Sequence, residues 1–238
     1  MKHLKTVLRW ILGLLSVYMV LNSTVIFGQT SEMDDYWQKN TRRTQWILAE
    51  ISEKKAKDLV DREINALDKL TFDEMISSAE KSFANCPAVN MKAPNTKAET
   101  LYQKGFNAPQ YSEEREIAFI EAAKLGYWRA ASNLVTIALE NEDFESAYII
   151  TAWLIKHKAP SAYSKLAMTL HAITSYYSEH SVNTDSIGSI GNKLQLKSAM
   201  AGDPVSMFEL GNKLLSSGSP KLGNKMVECA RILRSDLN

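Results

Sequence analysis

The sequence predicts an all-α protein: an array of antiparallel helix pairs preceded by a long N-terminal helix. Three observations carry this. Only 10 Gly and 6 Pro occur in 238 residues, too few for the turns of a many-stranded sheet. Helix start and stop signals recur at short intervals over the second half of the chain. Between them, apolar residues return at steps near three, four and seven. With 45% hydrophobic and 23% charged residues the chain has the balance of a folded protein.

Residues 1–9 carry Lys2, Lys5 and Arg9 without an acid, and Trp10 to Leu21 is almost wholly apolar. A basic start before a short apolar run is an export signal, and WILGLLSVYMVL lacks the polar face that a buried amphipathic helix would show. Gly28 could precede a cleavage site, whereas Trp10 to Gly28 is barely long enough to span a bilayer, so residues 1–28 read as a signal peptide or a retained signal anchor. Either way the positive-inside rule puts residues 29–238 across the membrane from the cytoplasm, and membrane contact is expected only through the N-terminal segment if it is uncleaved.

Residues 29–95 form the next unit. Trp37, Ile47, Leu48, Ile51, Leu59, Val60, Ile64, Leu67 and Leu70 recur at helical spacing, predicting one long helix from Asp34 to Leu70. Thr71 and Glu74 then form a capping box for a second helix ending near Ala84. The stretch CPAVNMKAPN, Cys86 to Asn95, with two prolines, reads as a linker.

From residue 96 to 238 the signals become regular. Thr96 with Glu99 predicts a helix start and Gly105 its end; Ser112 with Glu113 and Glu114 starts the next, which Gly126 ends. Pro160, Pro204 after Asp203, and Pro220 after Ser219 occupy first-turn positions. Residues 178–192, SEHSVNTDSIGSIGN, read as an inserted polar loop. Ala123, Gly126 and Leu134 recur as Ala199, Gly202 and Leu210 at an offset of 76, and Ala130 and Leu134 recur as Ala162 and Leu166 at an offset of 32. Lys158 stands where the middle copy would carry the turn glycine.

The A-x-x-G turn followed by small and apolar positions, with L-Y-x-x-G at Leu101 to Gly105 and E-L-G at Glu209 to Gly211, resembles Sel1-like repeats, relatives of the tetratricopeptide repeat. The likeness covers about residues 96–235 and implies a right-handed solenoid. Small residues such as Ala122, Ala130, Ala147 and Ala162 would permit close helix approach, and Leu134, Leu154, Leu166, Leu210 and Leu214 would fill the seams.

Composition excludes several function classes. A net charge of +1, or −2 once residues 1–28 are removed, gives no basic excess for nucleic acid. His157, His171 and His180 lack metal-binding spacing, and no nucleophile elbow, P-loop or dinucleotide fingerprint occurs, so no metal, cofactor or enzymatic activity is expected. Cys86 and Cys229 could pair in an oxidising compartment, but an elongated array sets them towards opposite ends, beyond disulfide reach unless the ends curl together.

What remains is binding. Trp153 lies on an apolar face and is expected in the core, whereas Tyr127, Trp128, Tyr176 and Tyr177 flank turns, and aromatic residues anchor interfaces. With Glu142, in the acidic run Glu140 to Glu145, they are the candidate partner contacts. An export signal joined to a short Sel1-like array resembles the periplasmic immunity proteins paired with type VI secretion effectors. That resemblance implies a periplasmic protein that blocks a secreted toxin such as a phospholipase. An envelope scaffold for cell-wall or secretion machinery is the alternative.

Overall fold

A computed structural model describes residues 42–89, 91–178, 185–216 and 219–235. Among them are eleven helices and no strand. A short helix α1 spans 42–48. It is followed by α2 (Glu53–Asp68), α3 (Phe72–Ser82), α4 (Thr96–Asn107), α5 (Glu113–Lys124), α6 (Trp128–Glu140), α7 (Phe144–Lys156), α8 (Ala162–Ser178), α9 (Asp185–Met200), α10 (Pro204–Ser216) and α11 (Pro220–Ser235).

Local chemistry sets most of these limits. The capping box at Thr71 is complete, the Thr71 Oγ accepting from Glu74 N while the Glu74 carboxylate accepts from Thr71 N at 2.7 Å. Ser112 caps α5 as expected. Other expectations are corrected. The helix expected from Asp34 to Leu70 is broken at residues 49–52, where Ser52 turns extended and starts α2; residues 34–41 lie outside the described residues. Asn95, one residue before Thr96, is the cap of α4, its side chain accepting from Ala98 N. Gly105 lies inside α4 rather than ending it. A Cβ there would sit 2.9 Å from the Phe119 ring, so the missing side chain lets α4 and α5 close on each other. Pro160 lies in the turn before α8 rather than in its first helical turn. The polar stretch 178–192 is helical from Asp185, because Ile187, Ile190 and Leu194 continue the apolar spacing of α9 through its glycines.

The repeat relation shows in the backbone of the turns. Gly126, Lys158 and Gly202, equivalent by the sequence offsets, all have positive φ, at 87°, 52° and 96°. Each is followed by the same six-residue bond: Tyr127 N to Ala122 O (3.2 Å), Ala159 N to Leu154 O (2.9 Å) and Asp203 N to Ser198 O (3.1 Å). This is the Schellman ending, which needs a left-handed residue just beyond the helix. The turns after α6 and α10 match each other at the same offset of 76, with Asp143 N bonded to Ala138 O and Ser219 N to Leu214 O. Lys158 therefore does a glycine's work against the penalty that an L side chain carries there.

Each helix from α4 to α11 packs on the next, and α6 also packs on α8. Leu134, Leu154 and Leu166 are fully buried, with Leu210 and Leu214 nearly so, and Ala122, Ala130, Ala147 and Ala162 are fully buried between helices. Taking α4–α5, α6–α7, α8–α9 and α10–α11 as pairs, the N-terminal segment crosses the second helix of every pair. Arg43 binds Glu116 of α5 through Nε (2.6 Å) and Nη2 (3.1 Å), and its Nη1 reaches Asp143, the cap of α7, at 2.9 Å. Trp46 packs edge-on against Trp153 of α7. Glu50 accepts from Trp153 Nε1 (2.8 Å) and Lys156 Nζ (2.6 Å). Helix α2 lies on α7 and α9, where Glu63 pairs with Lys197 at 2.6 Å, and α3 lies on α9.

Cys86 and Cys229 form a disulfide, with Cα atoms 5.2 Å apart. This corrects the expectation from an elongated array. Residues 42–83 travel across the pairs from α5 to α9 before Cys86, so the cysteine arrives at α11, and residues 87–95 then lead back to α4. Val89 packs over Gly202 at the α9–α10 turn, where a Cβ would come within 1.8 Å of it, and Met91 O lies 3.5 Å from the Tyr127 hydroxyl at the α5–α6 turn.

Two variants test these features. Arg43→Ala leaves the part-buried Glu116 and the buried Asp143 without their counter-charge and is expected to cost about 3 kcal/mol in chemical denaturation. Lys158→Gly is expected to raise stability by up to about 1 kcal/mol in the same assay, because it removes the left-handed penalty.

Candidate interaction surface

With α1, α2 and α3 laid over the second helices, the first helices of the pairs form the opposite side. Among the described residues, six of the ten large apolar side chains most exposed to solvent belong to α4, α8 and α10: Phe106, Met168, Tyr176, Val205, Phe208 and Leu215. Val205, Phe208 and Leu215 are exposed at helical spacing on α10, interspersed with Glu209, Asn212 and Lys213, while Met207, Leu210 and Leu214 fill the core. An amphipathic helix in a finished core carries polar residues at such positions. Three of the four first helices carry them, against one each on the second helices α5 and α11, Ile117 and Ile232.

An open groove of about 720 Å³ lies at the α4 end of this side, between the linker and the start of α6. Tyr102, Phe106 and Tyr127 give it an aromatic wall, with Tyr102 and Tyr127 edge to face at 4.9 Å and Tyr102 and Phe106 stacked at 6.3 Å. Arg129 lies over the Tyr102 ring at 4.9 Å and donates from Nη1 to the Tyr127 hydroxyl at 3.2 Å. Lys92, Asn95, Glu99 and Gln103 complete the polar rim.

The residues singled out from the sequence do not gather at one place. Tyr127 is only 1% exposed; its ring is packed in the core behind the groove wall. Trp128 is half-buried at the first position of α6. Glu142 is exposed in a left-handed turn after the last residue of that helix, some 20 Å away along the axis. Tyr176 lies at the Glu142 end, 49% exposed and edge-on to Phe144. The side chain of Tyr177 lies outside the described residues, as do His180 and residues 1–41. Trp153 is 3% exposed, as expected of a core residue. Sequence reading missed Arg129, Met168 and Phe208. Their signal was a polar residue beside a turn and apolar residues off the core stripe, legible only once the second helices were known to be covered.

His157 caps the end of α7, stacked on Trp153 at 4.2 Å with Nε2 2.8 Å from Glu50 Oε1, which is a structural post. His171 is exposed on α8. Among the described residues no group of three His, Cys, Asp or Glu side chains is placed to hold a metal ion, and no helix is long and apolar enough to cross a membrane. The protein is thus defined by its helix pairs, its N-terminal cover and one open, partly apolar side. The chain matches no protein-family model, no curated protein and no solved structure.

Two carboxylates, one in the N-terminal cover and one beneath it, titrate in opposite senses. Burial works against the charge of Glu50, but hydrogen bonds from Lys156, Trp153 and His157 outweigh it and bring the carboxyl down to about 2. Its contribution is present above its ordinary value of 4.5 and is lost as pH falls towards 2. Glu145, in the first turn of α7, is pushed up to about 7 by burial and then by the charges of Glu53 and Asp143. The fold binds that proton more tightly than the unfolded chain, so stability is lost as pH rises from 4.5 to about 7. Glu145→Gln is therefore expected to raise Tm at pH 8 and to leave it nearly unchanged at pH 4, as read by thermal melts at the two pH values.

Proposed function

We propose that this is an exported helical-repeat protein without catalytic activity, a right-handed Sel1-like solenoid that works by binding another protein through the first helices of its pairs. The observation that carries the reading is the asymmetry of the two sides. The N-terminal helices lie on α7 and α9 and reach α5 through Arg43, while α4, α8 and α10 keep large apolar residues exposed. A solenoid ordinarily binds through an extended face of one helix set. The basic and apolar start of the sequence supports export, and the Cys86–Cys229 disulfide suits an oxidising compartment such as the periplasm.

The resemblance to type VI immunity proteins makes a secreted antibacterial toxin, such as a phospholipase, the proposed partner. Inhibition would come by covering the active site or membrane-docking surface of the toxin. Within the open side, Met168, Tyr176 and Phe208 are the proposed anchors, with Glu142 as an edge contact.

Affinity capture with tagged protein from envelope extracts of competing cells, read by mass spectrometry, is expected to return one stoichiometric secreted toxin. Met168→Glu combined with Phe208→Glu is expected to abolish that capture at unchanged Tm. Capture of a set of resident envelope proteins would replace immunity with a scaffold role, and undiminished capture by the double variant would remove the anchors from the interface.

A further inference from the structure

The groove between the linker and α4 combines two features that the fold itself does not require. Phe106 is 60% exposed beside Tyr102, so the aromatic wall is unfinished towards solvent. Arg129, half-buried in that wall, has no carboxylate within ion-pair distance among the described residues. Its position is nevertheless fixed, by the Tyr102 face on one side and the Tyr127 hydroxyl on the other. By contrast, Arg43 takes two carboxylates and Arg42 pairs with Glu113. A guanidinium keeps further donors after one hydrogen bond, and a held planar fork suits a carboxylate.

From these features we propose that the groove is a subsite for a carboxylate-bearing apolar segment of the protein partner, the acid pairing with Arg129 and a neighbouring aromatic or aliphatic side chain packing on Tyr102 and Phe106. The assignment rests on the protein-binding reading and names where and by what chemistry part of that contact is made. Charge selects the occupant. The Arg129 guanidinium, without a carboxylate at ion-pair distance among the described residues, suits a single carboxylate; a phosphate dianion would meet Glu99, which also lines the groove, as a like charge. Glu99 is itself held by Gln103 Nε2 at 2.7 Å, so it keeps its place on the rim. The volume of about 720 Å³ admits a few side chains and not a folded domain, which makes the occupant a projecting loop or chain end.

The test titrates the full chain, disulfide intact, with the peptide acetyl-Trp-Glu-Leu-amide and with its Gln counterpart, following chemical shifts of the Arg129 side chain and of residues 91–106. The Glu peptide is expected to bind at least tenfold more tightly than the Gln peptide. Arg129→Gln is expected to erase that difference, and Arg129→Lys to restore most of it. Equal binding of the two peptides, or shifts confined to other regions, would overturn the proposal. If Arg129→Gln unfolds the chain, Phe106→Ala, whose ring is mostly in solvent, replaces it and is expected to weaken both peptides alike; unchanged binding would again overturn the groove assignment. Partner capture that survives Arg129→Gln would remove the groove from the interface and leave the protein-binding reading standing.

Discussion

Stacked helix pairs bury their own seams but leave the outer side of each helix set to solvent, and here one of those sides is built over by the same chain. Residues 42–86 cross the second helix of all four pairs and are held to each by a different chemistry: the Arg43 fork at α5, Glu50 with Trp153 and Lys156 at α7, Glu63 with Lys197 at α9, and the disulfide at α11. The rest of the structure depends on that crossing. It turns four successive pairs, each in contact chiefly with its neighbours, into a body whose first and last pairs are mechanically joined. The disulfide spans 143 positions, and closing a loop of that length removes roughly 5 kcal/mol of chain entropy from the unfolded state in the loop-closure picture.

The same crossing decides which side can act. Apolar residues such as Phe119 on α5, Trp153 on α7 and Leu194 on α9 join Trp46, Val60, Ile64 and Met75 in the core, whereas Phe106, Met168 and Phe208 on α4, α8 and α10 have no such cover. Tyr127 and Trp153 illustrate the sorting. Both are aromatic residues of the repeat region, and both end in the core, because Tyr127 is closed over by the returning linker and Trp153 by α1 and Glu50. The linker has a double part in this. It packs over Gly202 and, through Met91, over the Tyr127 hydroxyl, and by standing off from α4 it leaves the groove that Arg129 lines.

Much of the fold was legible because it is written locally. Thr71 with Glu74, Ser112, Asp203 with Pro204, and Gly126 each mark a helix boundary through bonds made within six residues. The internal offsets set Lys158 level with the turn glycines Gly126 and Gly202, and it shares their left-handed φ. What was not legible depends on distant parts of the chain. Nothing near Cys86 says that α1–α3 travel across the pairs before it. Nothing near Tyr127 says that Met91 will lie over its hydroxyl. The break at residues 49–52 escaped because Ile47, Leu48 and Ile51 keep helical spacing into it, while Ser52 is needed as a cap and Glu50 as a ligand for α7. Exposure was less legible than the fold for the same reason: it is a property of what covers a residue, and the cover here comes from another segment.

Native-state hydrogen exchange of the disulfide-bonded chain tests the central claim most directly, because it reads the stability of the N-terminal cover separately from that of the pairs beneath. If residues 42–86 are an integral layer, the buried turns of α2 around Val60 and Ile64 exchange only with the same global opening that exposes α7 and α9. Exchange in α2 that is orders of magnitude faster than in α7 and α9 would contradict this, since the cover would then lift independently and the second helices would be open to partners as well.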